Sequence, residues 1–202
     1  MTRLHRFPGL LCAVATLLVA TCAGAQQASQ SAHAAVTPTS GMRAEFLADL
    51  QSQEGRFVAL AQAIPADKYT WRPGEGVRSV SEVFLHVAAA NFNLPKLMGI
   101  APPADFKVQG FDKSTTDKAK VIAIMQDAFA HMREAVLSIP DSDMDKQVDF
   151  RGGKKTTRAV LMFILEHNAE HLGQSIAYAR MNGVVPPWTE EQQKKQAEKP
   201  KQ

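Results

Sequence analysis

The stretch "ILEHNAEHLGQ" (residues 164–174) places His167 and His171 four positions apart in a run that otherwise predicts a buried helix. Because an α-helix repeats every ~3.6 residues, side chains four positions apart lie on the same face, one turn apart. Two imidazoles in this arrangement can bind one metal ion, or they can be hydrogen-bonded groups on a helix face. The spacing alone leaves both interpretations open.

A metal site needs further ligands, because catalytic zinc sites commonly use three protein side chains and leave one position open. His86 lies in "VFLHVAAANF" (residues 83–92), where apolar neighbours indicate that it does not lie on a free face. His131 falls within the apolar stripe of another helical segment and is the reserve candidate. His5 and His33 fall in segments that we expect to lie outside the folded domain.

The helix face that carries the two histidines changes character along its length. Six residues lie within about 60° of His167 on a helical wheel, and they are Val160, Phe163, Ile164, His171, Gln174 and Tyr178. A purely structural stripe would remain apolar, so the change to polar and aromatic residues favours a pocket at one end of a helical domain. We expect Gln174 and Tyr178 to line this pocket with Asn93, which lies two turns beyond His86.

His167, Glu170 and His171 also match H-x-x-E-H, the inverted zinc-peptidase pattern in which the glutamate is a general base. That arrangement requires a further acidic ligand from a later helix, and only a polar tail follows this one. We therefore disfavour a peptidase. Glu170 remains the candidate catalytic residue, with Glu166 as the alternative, because a carboxylate at either position could accept a proton near a bound metal. Arg180 lies about 180° from His171 on the wheel, so we expect a surface or packing residue there and not a residue that binds substrate.

Helical segments must position these residues. Apolar spacing, capping residues and helix-breaking prolines and glycines predict four helices. The first runs from Gly41 to Ile64, and the second from a capping box at Ser79 and Glu82 to Pro95. The third runs from a cap at Ser114 or Thr115 to Pro140, and the fourth from Thr157 to Asn182, before Gly183. The connector at residues 141–157 can hold a short hairpin around Gly152 and Gly153. With no strong strand signal elsewhere, we predict an all-α fold, a four-helix bundle.

The first 25 residues have the features of a secretory signal peptide. Arg3 and Arg6 give a positive start, an apolar run covers residues 10–20, and "AGA" supplies small residues for cleavage after Ala25. The apolar run is shorter than the ~20 residues of a membrane span. We favour this cleavage over a lipoprotein cut before Cys22. The sequence therefore predicts an exported protein, periplasmic or extracellular, with no stable membrane span.

Cleavage after residue 25 of 202 would leave 177 residues and remove both cysteines, so the mature chain would have no sulfur ligand and no disulfide. It would contain 21 basic and 20 acidic residues and no concentrated basic face, which argues against nucleic-acid binding. We divide the chain into the signal peptide (1–25), a flexible linker (26–40), a folded domain (41–187) and a polar, basic tail (188–202).

Two segments, "DKYTWRPGEGVRSVSEVFLHVAAANF" (67–92) and "LEHNAEHLGQSIAYARMNGVVPP" (165–187), together resemble the DinB-like (YfiT-like) family. In that family a W-R-P connection precedes a helix with one histidine, and the last helix holds H-x-x-x-H followed by "GQ" and "NGVVPP". The resemblance covers residues 41–187. It implies a four-helix bundle that binds a divalent metal ion through three histidines, here His86, His167 and His171.

Members of the family are described as metal-dependent hydrolases, and some relatives use low-molecular-weight thiols. An exported protein works where cytosolic thiols are scarce, which disfavours thiol transfer. We therefore expect a metal-dependent hydrolase of a small substrate. The alternatives are a bundle that binds a metal or ligand without catalysis and a bundle whose histidines are only structural. Three nitrogen ligands suit zinc, nickel, iron or a similar ion, and the bundle is compatible with a homodimer.

Overall fold

The computed structural model describes Pro38 and residues 40–198 of the chain. The predicted signal peptide and all but two residues of the predicted linker therefore lie outside the described residues. The described elements are α1 (Gly41–Ala63), α2 (Val80–Asn93), α3 (Lys118–Ser138), β1 (Gln147–Phe150), β2 (Gly153–Thr156), α4 (Thr157–Met181) and α5 (Pro187–Ala197). The prediction of an all-α four-helix bundle is confirmed, and the structure adds a fifth helix.

The four long helices share one apolar core. Each packs mainly against two others, in the order α1, α3, α2, α4 around the bundle. The ring of Phe57 on α1 lies 6.3 Å from that of Phe84 on α2 and 5.8 Å from that of Phe129 on α3. All three side chains are fully buried, and burial of an aromatic or aliphatic side chain typically stabilises the fold by about 1.5–3 kcal/mol. This arrangement makes α2 and α4 neighbours.

The W-R-P connection before α2 is tied to the start of that helix. The predicted capping box is present, because the Ser79 hydroxyl accepts from the Glu82 amide and the Glu82 carboxylate accepts from the Ser79 amide at 2.8 Å. The Arg72 guanidinium donates to the other Glu82 oxygen at 3.1 Å. The Val80 amide donates to the Trp71 carbonyl at 3.0 Å. These contacts fix where α2 begins and hold Trp71 beside it.

The start of α3 differs from the prediction, whereas the bounds of the other three long helices agree within two residues. Asp117, not Ser114 or Thr115, is the cap, and its carboxylate accepts from the Lys120 amide at 2.8 Å. The Thr115 hydroxyl instead accepts from the Asp117 amide at 3.1 Å. Each of these side chains can cap a helix, so the path of the loop decides which of them does.

The hairpin formed by β1 and β2 precedes α4, in the connector where the sequence predicted one. Its strands are antiparallel, and Phe150 pairs with Gly153 at the turn. The two turn residues, Arg151 and Gly152, both have positive φ, 49° and 81°. Such angles suit a tight hairpin turn and favour Asn or Gly. Glycine adopts them freely, whereas a side chain such as that of Arg151 disfavours them.

The fifth helix occupies most of the segment that we interpreted as a polar tail. Proline at its first position, Pro187, suits a helix start because that residue's missing amide hydrogen needs no partner there. Trp188 is partly buried, and the Arg56 guanidinium lies 4.6 Å from its ring centroid. No residue of α5 is buried. None of the described helices combines the length and the apolar character of a membrane span.

Candidate metal centre

Three histidines meet where α2 packs against α4. One ring nitrogen from each of His86, His167 and His171 lies within 4.8 Å of the other two. The Nε2 atoms of His86 and His167 are 3.2 Å apart. In the part of the chain that the structure describes, this is the one group of three or more histidine or carboxylate side chains spaced to bind an ion. All three rings are half-buried.

The spacing fits a metal ion. Bonds of about 2.0–2.1 Å from a tetrahedral ion to imidazole nitrogens place those nitrogens about 3.3 Å apart, close to the 3.2 Å between His86 and His167. Without an ion, two facing neutral imidazoles have one favourable arrangement, in which one donates and the other accepts. Imidazole nitrogens suit zinc, nickel, iron or copper better than magnesium or calcium. The donor set would therefore suit a transition-metal ion.

The electrostatics also suit a metal ion. Burial, together with the positive charge of Arg78, lowers the pKa of His86 to about 4. Burial is again the main cause that lowers the pKa of His167 to about 4, and the charges of His171 and Arg151 add to it. Both rings are consequently neutral near pH 7, with a nitrogen lone pair free for coordination. Metal binding at neutral pH would not have to displace a proton from either ring.

A chain of hydrogen bonds orients the third histidine. The Nδ1 atom of His171 lies 2.8 Å from Oε1 of Gln174, so the imidazole donates there. The Gln174 amide in turn donates to the Tyr178 hydroxyl at 3.0 Å, and the Trp71 ring packs edge-on against Tyr178 with centroids 5.4 Å apart. A donor at Nδ1 leaves the lone pair on Nε2 of His171, the tautomer that binds a metal through Nε2.

A buried amide pair lies beside His167. Asn168 on α4 donates to Asn91 on α2 at 3.4 Å, and both side chains are fully buried. The second polar atom of each amide has no hydrogen-bond partner, and neither has Nδ1 of His167. Asn168 nevertheless lies near enough to His167 to raise its pKa, against the larger effect of burial. This pair connects α2 and α4 at the level of the histidines.

A cavity of about 200 Å³ opens beside the histidines. His86, His167 and Asn93 form part of its wall, so Asn93 lies beside two of the three histidines. Its remaining lining residues are Ala89, Ala90, Leu94, Val108, Arg151 and Phe163. A larger open cavity of about 520 Å³ includes Gln174 in a mostly charged wall. Gln174 therefore lines this second cavity and not the one beside His86 and His167, and Tyr178 is buried behind Gln174 and lines neither.

The remaining candidates lie apart from the three rings. Glu170 is exposed on α4, and its carboxylate makes no hydrogen bond to any described residue, although its charge acts to raise the pKa of His167. Arg180 is exposed, as predicted. His131 on α3 packs against Phe92, with ring centroids 5.7 Å apart, and does not join the group of three histidines.

Sequence reasoning missed three residues at this site. Arg151 reaches the cavity from the hairpin turn, and no pattern in the sequence connects that turn with the histidines. Asn91 and Asn168 are also absent from the predicted site. A signal for the amides was available, because asparagine at an inward position of a helix needs a partner, and each of them lies in a segment that also carries a candidate histidine.

Comparisons with known proteins agree with this architecture. A family model described as the DinB family matches residues 31–202. The uncharacterized protein YjoA of Bacillus subtilis (strain 168) is 25% identical over 130 residues, which cover 61% of this chain and 80% of that protein.

Two solved structures share the fold. A DinB-like protein from Bacillus cereus ATCC 10987 has a TM-score of 0.63 and 17% identity, over 70% of this chain and 93% of its own. The structure of YjoA from Bacillus subtilis has a TM-score of 0.58 and 21% identity, over 70% of this chain and 94% of its own. With a family match over most of its length and a helical bundle of the same fold, this chain belongs to the DinB family.

Proposed function

We propose that this protein binds one divalent metal ion through His86, His167 and His171 and uses it to hydrolyse a small substrate. The observation that carries the proposal is the convergence of three ring nitrogens within 4.8 Å at the interface of α2 and α4. Membership of the DinB family also supports it, since metal binding is general in the DinB-like family.

The chain's own residues have defined tasks in this proposal. His86 and His167 supply neutral nitrogen donors, and Gln174 keeps His171 in the tautomer that offers Nε2. A divalent ion supplies Lewis-acid activation of water or of a substrate oxygen. Three protein ligands leave coordination positions open, and the adjoining cavity, with Asn93 in its wall, gives a small molecule access to them.

The test is metal content by mass spectrometry on protein purified without a histidine tag. We expect about one equivalent of a transition metal in the parent protein and a large loss in His167→Ala. His131→Ala is the matched control, because it removes an imidazole that lies outside the group, and it should keep the metal. Absence of metal from the parent after reconstitution with several divalent ions would refute the site.

A non-catalytic metal-binding or ligand-binding bundle is the second candidate function. It is favoured by one observation: Glu166 and Glu170 are both exposed, and neither lines the cavity beside the histidines. Hydrolysis assisted by Glu170 predicts that Glu170→Gln keeps the metal and loses turnover of a hydrolytic substrate. Unchanged metal content together with no turnover in either protein, across a panel of small esters, amides and phosphoesters, would favour the binding module.

We also propose that the protein is exported and cleaved after Ala25. The support is the positive start at Arg3 and Arg6, the short apolar run after it and the small residues that end at Ala25. Amino-terminal sequencing of protein recovered from the periplasm or the medium tests this. We expect the chain to begin at Gln26, and an uncleaved cytoplasmic product would contradict the proposal.

A further inference from the structure

Arg151 has an unusual combination of properties for a residue at the tip of a hairpin. Its backbone is left-handed, with φ of 49°, a conformation that is unfavourable for a residue with a side chain. Asn or Gly would suit this turn position better. Residues that stay in unfavourable backbone conformations concentrate at binding and catalytic sites, so the side chain of Arg151 is the part of the residue to examine.

The guanidinium of Arg151 is held by aromatic rings. It lies 4.5 Å from the ring centroid of Phe163 and 5.3 Å from that of Phe150, within the ~6 Å at which a cation is attracted to a ring face. The ring of Phe163 in turn lies 6.0 Å from that of His167, one helical turn further along α4. The hairpin and α4 therefore fix the guanidinium beside the metal-ligating histidines.

The charge of Arg151 is not neutralised by its neighbours. It forms no salt bridge with any carboxylate of the described residues, and Asp149 on the same hairpin pairs with Lys154 at 2.6 Å instead. The cavity that Arg151 shares with His86 and His167 has no acidic residue in its wall. A guanidinium held with its N–H groups unused is a preformed partner for a carboxylate or phosphate, which it can bind through two parallel hydrogen bonds.

We propose that Arg151 binds the oxyanion group of a small acidic substrate, a carboxylate or a phosphate, whose reacting part lies at the three histidines. The inference deepens the proposed metal-dependent function and rests on it. Apart from the histidines and Asn93, the rest of the wall is apolar and includes Ala89, Leu94 and Phe163, so the substrate carries a mainly apolar body between its anionic end and the metal. A volume of about 200 Å³ lies below the roughly 300 Å³ at which pockets for drug-sized ligands begin. The substrate is therefore small.

The test is calorimetric titration of cobalt-loaded protein with butyrate and, separately, with inorganic phosphate. Metal content is measured first, by mass spectrometry, in every variant. Arg151→Met removes the charge and keeps the length of the side chain, and it should weaken binding by at least about tenfold, the effect of losing a charge-assisted hydrogen-bond pair. Arg151→Lys keeps the positive charge but lacks the planar guanidinium with its paired N–H donors. Its affinity for the anion should lie between those of the parent and Arg151→Met.

Lys155→Met is the matched control. Its ammonium lies 5.5 Å from the ring centroid of Phe150 on the same hairpin, but Lys155 does not line the cavity. Binding by this variant should stay within about twofold of the parent, because Lys155 lies outside the cavity wall and an exposed charge that does not contact the ligand is weakened by salt screening. Thermal melting of each variant verifies that the fold is kept, which we expect because Arg151 is exposed.

The outcomes separate this inference from the function on which it rests. Absence of bound cobalt in the parent overturns the proposed function and the inference with it. Bound cobalt with no affinity for either anion, or with the same affinity in Arg151→Met as in the parent, overturns the inference alone. Arg151-dependent binding of butyrate identifies a carboxylate substrate, and Arg151-dependent binding of phosphate alone identifies a phosphorylated one.

Discussion

The Nε2 atoms of His86 on α2 and His167 on α4 lie 3.2 Å apart, although 81 positions separate the two residues in the chain. Burial lowers the pKa of each ring to about 4, so protonation near pH 7 does not explain their approach. A shared ion would satisfy both nitrogens at once.

Addition of a divalent metal should stabilise the protein. An ion that binds the folded state alone raises the free energy of unfolding by about 2.7 kcal/mol at a free concentration one hundred times its Kd. For a domain of this size, that increase corresponds to a rise in Tm of roughly 5–10 °C. Scanning calorimetry with and without metal checks it. The rise should be absent in His86→Ala. A similar rise in that variant would mean that the ion binds elsewhere.

Gln174→Ala should weaken metal binding without unfolding the protein. Loss of the acceptor for the Nδ1 proton of His171 frees that ring to adopt the wrong tautomer and orientation, and loss of such a partner typically costs 10–100-fold in metal affinity. Competition with a chromophoric chelator measures the affinity. Gln192→Ala, on the exposed face of α5, is the control and should bind as the parent does. Equal affinities in the two variants would remove Gln174 from the site.

The buried amides Asn91 and Asn168 should be coupled. Asn91→Ala leaves the amide of Asn168 buried without its partner, which should lower the free energy of unfolding by about 1–3 kcal/mol. The double variant should lose less than the sum of the two single variants, because the second substitution removes the unpaired group. Urea unfolding of all four proteins measures the coupling. Additivity within about 0.5 kcal/mol would show that the amides do not interact.

The metal-free protein should lose stability in acid partly through His131. Burial lowers the pKa of His131 from 6.5, while Glu134 and the Phe92 backbone act in the opposite direction. Because the folded-state pKa is below the unfolded one, the unfolded chain takes up the proton first as the pH falls. This component of stability is complete above about pH 6.5 and is lost as the pH falls through the folded pKa.

His131→Gln tests this dependence, because it replaces the titrating ring with a neutral polar side chain. In the presence of chelator, the free energy of unfolding should fall less steeply between pH 7 and pH 5 in the variant than in the parent. The other described histidines are present in both proteins, so their contributions cancel in the comparison. Parallel curves for the two proteins would contradict the prediction.

Local spacing along α4 predicts part of the site. His167 and His171 are recognisable as a pair because a helix sets their relation over four residues. The link from His171 through Gln174 to Tyr178 follows the same rule, since each step spans three or four positions. A helical wheel gives the direction of each side chain but not how far it is buried from solvent. It therefore assigned Tyr178 to the pocket wall, although that side chain is buried behind Gln174.

By itself, the sequence determined the four long helices, the capping box at Ser79 and the face of α4 that carries the histidines, because each of these depends on interactions between residues at most a few positions apart. Only the tertiary structure decided that α2 packs beside α4, that His131 remains apart and that the turn before α4 directs Arg151 to the cavity. These outcomes depend on how the apolar faces of distant helices pack together, and no local spacing encodes that. The chemistry of the site therefore depends partly on the residue pattern of α4 and partly on the order in which the helices pack around the bundle.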